Sequence, residues 1–149
     1  MRVDFFTYLE TLMQEDSNIV FITADLGYGL ADRLQKFEGR FYNVGAAEQA
    51  AIGVAIGFAL SGKIPVVYSI TPFLLHRPYE AIKLYLEHEG IPVKLVGSGR
   101  GKDYAHDGIS HHEDTFPFKF EALYYQSLTF ERVKEFIYNH KPQFLSLKR

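Results

Sequence analysis

The chain has 149 residues, 47% of them hydrophobic and 23% charged, which suits one globular domain with a sizeable core. A formal charge of −2 without a dominant basic run sets nucleic acid aside as the main partner, and the absence of cysteine excludes disulfide and thiol chemistry. The opening MRVDFFTYLE carries charges among its apolar residues, unlike a signal peptide, and the glycine-broken run over 46–60 is short for a bilayer, so a cytoplasmic protein with no membrane partner is expected.

Phe5, Phe6, Leu9, Leu12 and Met13 recur at helical spacing and predict an amphipathic helix over 2–15, ended by Asp16, Ser17 and Asn18. The β-branched run over 19–23 predicts a buried strand delivering a polar loop that starts with Ala24 and Asp25. That loop, G-Y-G-L, has neither a dinucleotide nor a P-loop pattern and is no phosphate cradle. A short helix over 31–39 and a short strand over 40–44 follow.

Next comes N-V-G-A-A-E-Q-A-A-I-G-V-A-I-G-F-A-L-S-G, a tight entry at Gly45 and about four turns of small and aliphatic side chains. Ala46, Ala50, Gly53 and Gly57 form a smooth stripe that lets another backbone approach, and self-association through the 46–60 helix is expected. Interior glycines cost about 1 kcal/mol each, which close packing would offset. Glu48 breaks the apolar pattern in the first turn. A carboxylate there can simply serve free backbone N–H groups and the helix dipole, or it can mark a site.

A strand is predicted over 64–69 with Pro65 at its start, then a loop, a helix over 78–88 with Pro78 in its first turn, and a strand over 91–96. The glycine-rich, polar excursion over 97–110 is too long for a simple connector and suggests function. A strand over 122–126, a helix over 129–139 capped by Thr129 and a strand over 144–147 complete the chain. The alternation predicts a single α/β domain over 1–149, a doubly wound parallel sheet with helices on both faces. Ligands bind such sheets at the strands' carboxyl ends, where Asp25, Phe73, residues 97–112 and the entry to the Glu48 helix converge.

Three segments, N-V-G-A-A-E-Q-A-A, G-x-A-L-S-G-K-I-P-V-V-Y-S and F-L-L-H-R-P-Y-E-A-I, resemble the pyrimidine-binding domain of the transketolase family of thiamine-diphosphate enzymes. The resemblance runs over nearly the whole chain. It implies that Glu48 hydrogen-bonds the ring nitrogen of the cofactor's aminopyrimidine, favouring the imino form that removes the thiazolium proton, and that Phe73 stacks on that ring. Asp25 falls where family members carry an aspartate, and Tyr79 is a weaker stacking candidate, more in keeping with a core residue of its helix.

Residues 104–114, Y-A-H-D-G-I-S-H-H-E-D, resemble the family words D-G-P-T-H-Q and G-x-S-H-H-x-x-E-D. By that match Asp107 and His111 bind the donor sugar's hydroxyls and His111 moves protons, with His106 and His112 as helpers. Arg77 and Arg100 lie near the mouth as candidates for a sugar phosphate. The same cluster, His106, His111, His112, Glu113 and Asp114, offers nitrogen and oxygen ligands for a metal, but adjacent histidines point apart and no metal-binding helix motif is present, so no metal ligand is assigned.

The family's G-D-G motif, which holds magnesium and the diphosphate, is missing, and S-L-K-R resembles the R-L-x-R at which the family's pyrimidine domain ends. The resemblance therefore implies half of an active site, completed by a diphosphate-binding partner subunit in a heterotetramer. The expected activity is transfer of a two-carbon ketol unit between sugars. A deoxyxylulose-phosphate synthase-like or 2-oxo-acid decarboxylating subunit, and a non-catalytic assembly or regulatory domain, are the alternatives.

Overall fold

Six apolar runs pair into one sheet in the computed structural model, which describes residues 1–149: β1 (Ile19–Thr23), β2 (Phe41–Asn43), β3 (Ile64–Ile70), β4 (Lys94–Ser98), β5 (Glu121–Leu123) and β6 (Gln143–Leu147). Every pairing is parallel and the order is β2-β1-β3-β4-β6-β5. All positions of β1, β4 and β6 are buried, as strands covered on both faces must be. Because successive side chains alternate, Ile19 and Phe21 join Phe6, Leu9 and Leu12 of α1 (Arg2–Glu15) and Val133 and Phe136 of α5 (Phe130–Tyr138) on one face. Val20 and Ile22 meet Ala51, Ile52 and Ala55 of α2 (Glu48–Leu60) on the other. The winding reverses between β1 and β3, which makes the carboxyl end of these two strands the natural crevice.

Local chemistry explains most boundaries. The Thr129 hydroxyl accepts from the Arg132 N–H at 3.3 Å and caps α5 as expected. The outward face of α2 is open, since a Cβ added to Gly53 or Gly57 would meet nothing within 4 Å. Lys94, the first residue of β4, is fully buried at the opposite end of the sheet from the crevice. Its Nζ donates to the carbonyls of Asn139 and Lys141 at 2.6 and 2.7 Å, just beyond α5.

Several sequence expectations need correction. In place of a helix over 31–39 there is one 3-10 turn, Ala31–Leu34, followed by i→i+3 bonds, and Gly39 at φ 70° ends the segment before a helix can propagate. The loop expected after β3 is instead α3 (Thr71–His76), with Pro72 in its first turn, where a missing N–H costs nothing. The helix after it, α4 (Tyr79–Ala81), continues as a wide π-helical stretch, Ile82–His88, which buries Ile82 and Leu86. Tyr79 is not in the core: it is 44% exposed and stacks on Phe118 at 5.2 Å. β4 starts at Lys94, later than expected, because Pro92 has no N–H for the ladder and Val93 N–H bonds back to the Ile91 carbonyl. β5 is shorter than the 122–126 expectation and starts one residue earlier.

β4 also runs through Gly97, which the sequence placed in the excursion. A Cβ there would strike Thr71 Oγ1 and the Phe144 ring, so glycine is what lets α3 begin directly over the strand. The Thr71 hydroxyl then reaches the carbonyls of Gly99 at 2.8 Å and Ser98 at 3.3 Å.

Candidate active site

The carboxyl ends of β1, β2 and β3 open onto a cavity of about 150 Å³. It is lined by Ala24, Asp25 and Leu26 after β1, Ala46 and Glu48 at the start of α2, Ser69 and Ile70 at the end of β3, and Phe73 and Arg77 on α3 and at its end. Asn43 ties the first two segments together, because its Oδ1 accepts from the backbone N–H of both Asp25 and Gly45 at 3.0 Å. Asp25 itself has a left-handed backbone, φ 52°, unusual for a residue other than glycine, and its carboxylate accepts from the Tyr28 hydroxyl at 2.8 Å. That bond, with the Asp25 charge, raises the Tyr28 pKa.

Glu48 is the first residue of α2 and only 2% exposed. Its Oε1 accepts from the Ser69 hydroxyl at 2.8 Å and its Oε2 from Arg77 Nη1 at 2.6 Å. The carboxylate is thus held by two side chains rather than acting as a backbone cap, which is the distinction its sequence position left open. A carboxyl group so deeply buried needs its oxygens answered by hydrogen bonds, and these two contacts supply them. The Arg77 guanidinium also covers Phe73, its carbon 4.0 Å from the ring centre.

His111 reaches the same place from β4. Its ring meets Phe73 edge-on at 4.8 Å, and its Nδ1 lies 3.1 Å from the Ser110 hydroxyl. The excursion that carries it folds into two 3-10 turns, Ala105–Asp107 and Ile109–His111. Tyr104 pins its base: the hydroxyl lies 2.8 Å from Ser98 Oγ and accepts from Arg2 Nη1 at 3.2 Å, and the ring fills the space where a Cβ on Gly99 would sit. The neighbouring Tyr68 hydroxyl is buried without a partner, and burial raises its pKa.

The structure therefore brings Glu48, Phe73, Asp25 and Arg77 around one cavity and sets His111 against its aromatic wall. His106 and Asp107 pair with each other at 3.1 Å on the exposed outer side of the excursion. Arg100 is engaged elsewhere. It donates to the Tyr125 carbonyl at 2.9 Å and to the Ser146 carbonyl and hydroxyl, pinning the end of β6, so its guanidinium has structural partners that the sequence did not reveal. Glu113 does similar work, accepting from Ser146 Oγ at 2.7 Å and Gly101 N–H at 2.9 Å. His112 Nε2 is buried without a partner. No group of three histidine, aspartate or glutamate side chains is close enough to hold a metal ion, and no helix is long and apolar enough to cross a membrane.

Sequence reasoning missed Ser69 and Tyr104. The signal for Ser69 was present, a lone hydroxyl at the carboxyl end of an apolar strand, directly before the segment that carries Phe73.

Comparison with known proteins identifies the family and the fold. Residues 2–116 match the transketolase pyrimidine binding domain. The 6-deoxy-6-sulfo-D-fructose transketolase subunit of Clostridium sp. (strain MSTE9) is 37% identical over 110 residues, covering 70% of this chain and 34% of that protein. An apulose-4-phosphate transketolase subunit of Actinobacillus succinogenes is 37% identical over 83 residues, 56% of this chain and 27% of that one. The 1-deoxy-D-xylulose-5-phosphate synthase of Desulforudis audaxviator is 36% identical over 114 residues, 75% of this chain and 18% of that protein. The chain thus spans about a third or less of the length of these relatives. Among solved structures, a split gene transketolase described as an inactive beta4 tetramer superposes with a TM-score of 0.81 at 26% identity, covering 99% of this chain and 50% of that one. A transketolase from Pichia stipitis shares the fold, with a TM-score of 0.79 at 18% identity over 99% of this chain and 25% of that one.

Proposed function

The chain belongs to the transketolase pyrimidine-binding domain family, and from that premise we propose that it supplies the pyrimidine half of a thiamine-diphosphate site that moves a two-carbon ketol unit between sugars. The observation that carries the proposal is Glu48, a carboxylate 2% exposed, with side-chain partners only, lining one small cavity with an aromatic ring. The donor set fits the cofactor's pyrimidine: a buried carboxylate answers a ring nitrogen, Phe73 offers a flat wall, and about 150 Å³ is of the order that holds one six-membered ring.

When bound, thiamine diphosphate supplies a nucleophilic carbon that can add to a ketone and accept its electron pair. The work of this chain is to bind and to move protons. Glu48 holds the proton shared with the ring nitrogen, Ser69 orients the carboxyl group, and Phe73 and Asp25 orient the ring. His111, beside Phe73, takes or returns a proton at a substrate oxygen. Magnesium and the diphosphate are assigned to a partner subunit. In the resulting heterotetramer the open Gly53 and Gly57 face of α2 pairs two copies of this chain.

The likeness to 1-deoxy-D-xylulose-5-phosphate synthase supports a second reading, a 2-oxo-acid donor with the same Glu48 chemistry. Calorimetric titration of thiamine diphosphate and magnesium tests the proposal, first into the chain alone and then into its mixture with a candidate diphosphate-binding subunit. Binding in the mixture only is expected. Tight magnesium-dependent binding by the chain alone would overturn the shared site, and no binding in either would leave an assembly domain. Ketose and pyruvate assays on the mixture then separate the two donors.

A further inference from the structure

Arg77 makes two contacts at once: Nη1 donates to Glu48 Oε2 at 2.6 Å, and the guanidinium carbon lies 4.0 Å from the centre of the Phe73 ring. A guanidinium is flat, carries N–H donors in its plane and stacks on aromatic faces. Those are also the properties of a ring with an amidine-like edge, such as an aminopyrimidine that shares a proton on its nitrogen. Both receptors of this pattern are fixed: Glu48 is 2% exposed and accepts from the Ser69 hydroxyl, and Phe73 is half-buried on α3 with the His111 ring against its edge. The arginine is not: its side chain is 45% exposed, it closes α3 immediately before Pro78, and Glu48 is the one hydrogen-bond partner of its guanidinium.

We propose that Arg77 is the specificity-determining residue of this site, an internal occupant that admits a flat ring only if the ring replaces both its stacking on Phe73 and its donation to Glu48. This rests on the pyrimidine reading above. Charge bookkeeping sharpens it. Besides Arg77, the ionisable groups around the cavity and Phe73 are Asp25, engaged with Tyr28, and His111. Once Arg77 swings out, no other arginine or lysine lines the cavity to face the buried Glu48 carboxylate, so the entering ring must bring or share a proton at that oxygen. A ring of the same shape without a nitrogen at that edge leaves the carboxylate unanswered and is refused. Because only the open fraction of the chain binds, Arg77 also weakens the apparent affinity in proportion.

The experiment uses the isotope-labelled chain, the free pyrimidine alcohol derived from thiamine as probe, and benzyl alcohol as the nitrogen-free control. The Arg77 Nε–Hε resonance is expected at a paired position in the empty chain and at the free-arginine position once the pyrimidine alcohol saturates, with benzyl alcohol causing no change. Arg77→Ala, at a half-exposed helix end, should bind the pyrimidine alcohol about tenfold or more tighter than the unaltered chain. Glu48→Gln should release the Arg77 resonance with no probe present, which keeps the idea testable if Arg77→Ala is poorly folded. If the probe binds with the Arg77 resonance unmoved, or binds Arg77→Ala no more tightly, Arg77 is not the occupant and the pyrimidine site stands without it. No binding to either protein would overturn this inference, while the pyrimidine reading is decided separately by the titration of the mixture with a candidate diphosphate-binding subunit.

Discussion

The chain buries two charged groups at opposite ends of one sheet, and they are held in opposite ways. At the amino end, Lys94 is fully buried and its two short hydrogen bonds go to the carbonyls of Asn139 and Lys141, with Gln143 Oε1 more distant at 3.5 Å. Burial pushes its pKa down to about 7, against the pull of Glu121. At the carboxyl end, Glu48 is held by Ser69 and Arg77, one a short hydroxyl and the other a half-exposed arm. Backbone partners cannot leave without unfolding the turn they belong to, whereas side-chain partners can be exchanged for a ligand. The lysine is anchored to backbone, the glutamate to side chains that can turn away.

Substitutions can break that contrast, and the largest effect falls on Glu48. Glu48→Gln should lower kcat of the assembled enzyme about a hundredfold or more, while urea unfolding of the chain changes by less than about 1 kcal/mol, because the amide still accepts from Ser69. A large stability loss with full activity would reverse the roles assigned to the two charges. Lys94→Met should do the opposite, leaving two carbonyls unanswered at a cost of about 2 kcal/mol in alkaline solution, where the lysine is neutral and no charge is buried, with activity per folded subunit unchanged.

Titration sharpens the contrast further. Lys94 releases its proton near 7 in the folded chain and near 10.5 when unfolded, so between these values the unfolded chain binds the additional proton. Stability attributable to Lys94 therefore rises with pH across that window, by at most about 1.4 kcal/mol per pH unit, and levels off above it. Unfolding curves of the unaltered chain and of Lys94→Met, compared across the window, should diverge with that sign; parallel curves would show that the lysine titrates normally. The smallest expected effect is that of Ser69→Ala, which leaves the carboxylate in place and frees one oxygen, lowering kcat about tenfold or less.

The architecture was legible because it rests on local periodicity. The helix over 2–15 and the strand over 19–23 are found at those residues, and the convergence of Asp25, Glu48, Phe73 and the glycine-rich excursion follows from strand order alone. What stayed hidden depends on side chains meeting across the fold. T-P-F-L-L-H-R-P reads as a loop because two prolines bracket the segment, yet its first six residues make one and a half helical turns that carry Arg77 across to Glu48, 29 positions earlier. Arg100 looked free in sequence because its acceptors, at Tyr125 and Ser146, lie 25 and 46 positions away. A carboxylate at a helix start was visible, but that it answers to side chains instead of the backbone was not.

Thr71, seated over Gly97, has a mechanical consequence. Its hydroxyl grips the two carbonyls at which β4 gives way to the excursion, while its backbone begins the helix that bears Phe73. Phe73 and His111 are thereby rooted in a single joint. The opposing wall is the β1 loop, where Gly27 and Gly29 adopt left-handed conformations at φ 97° and 75° and Tyr28 is 75% exposed. The two walls of the cavity thus hang from separate strands, Phe73 and His111 from the joint between β3 and β4, and Asp25 from the end of β1.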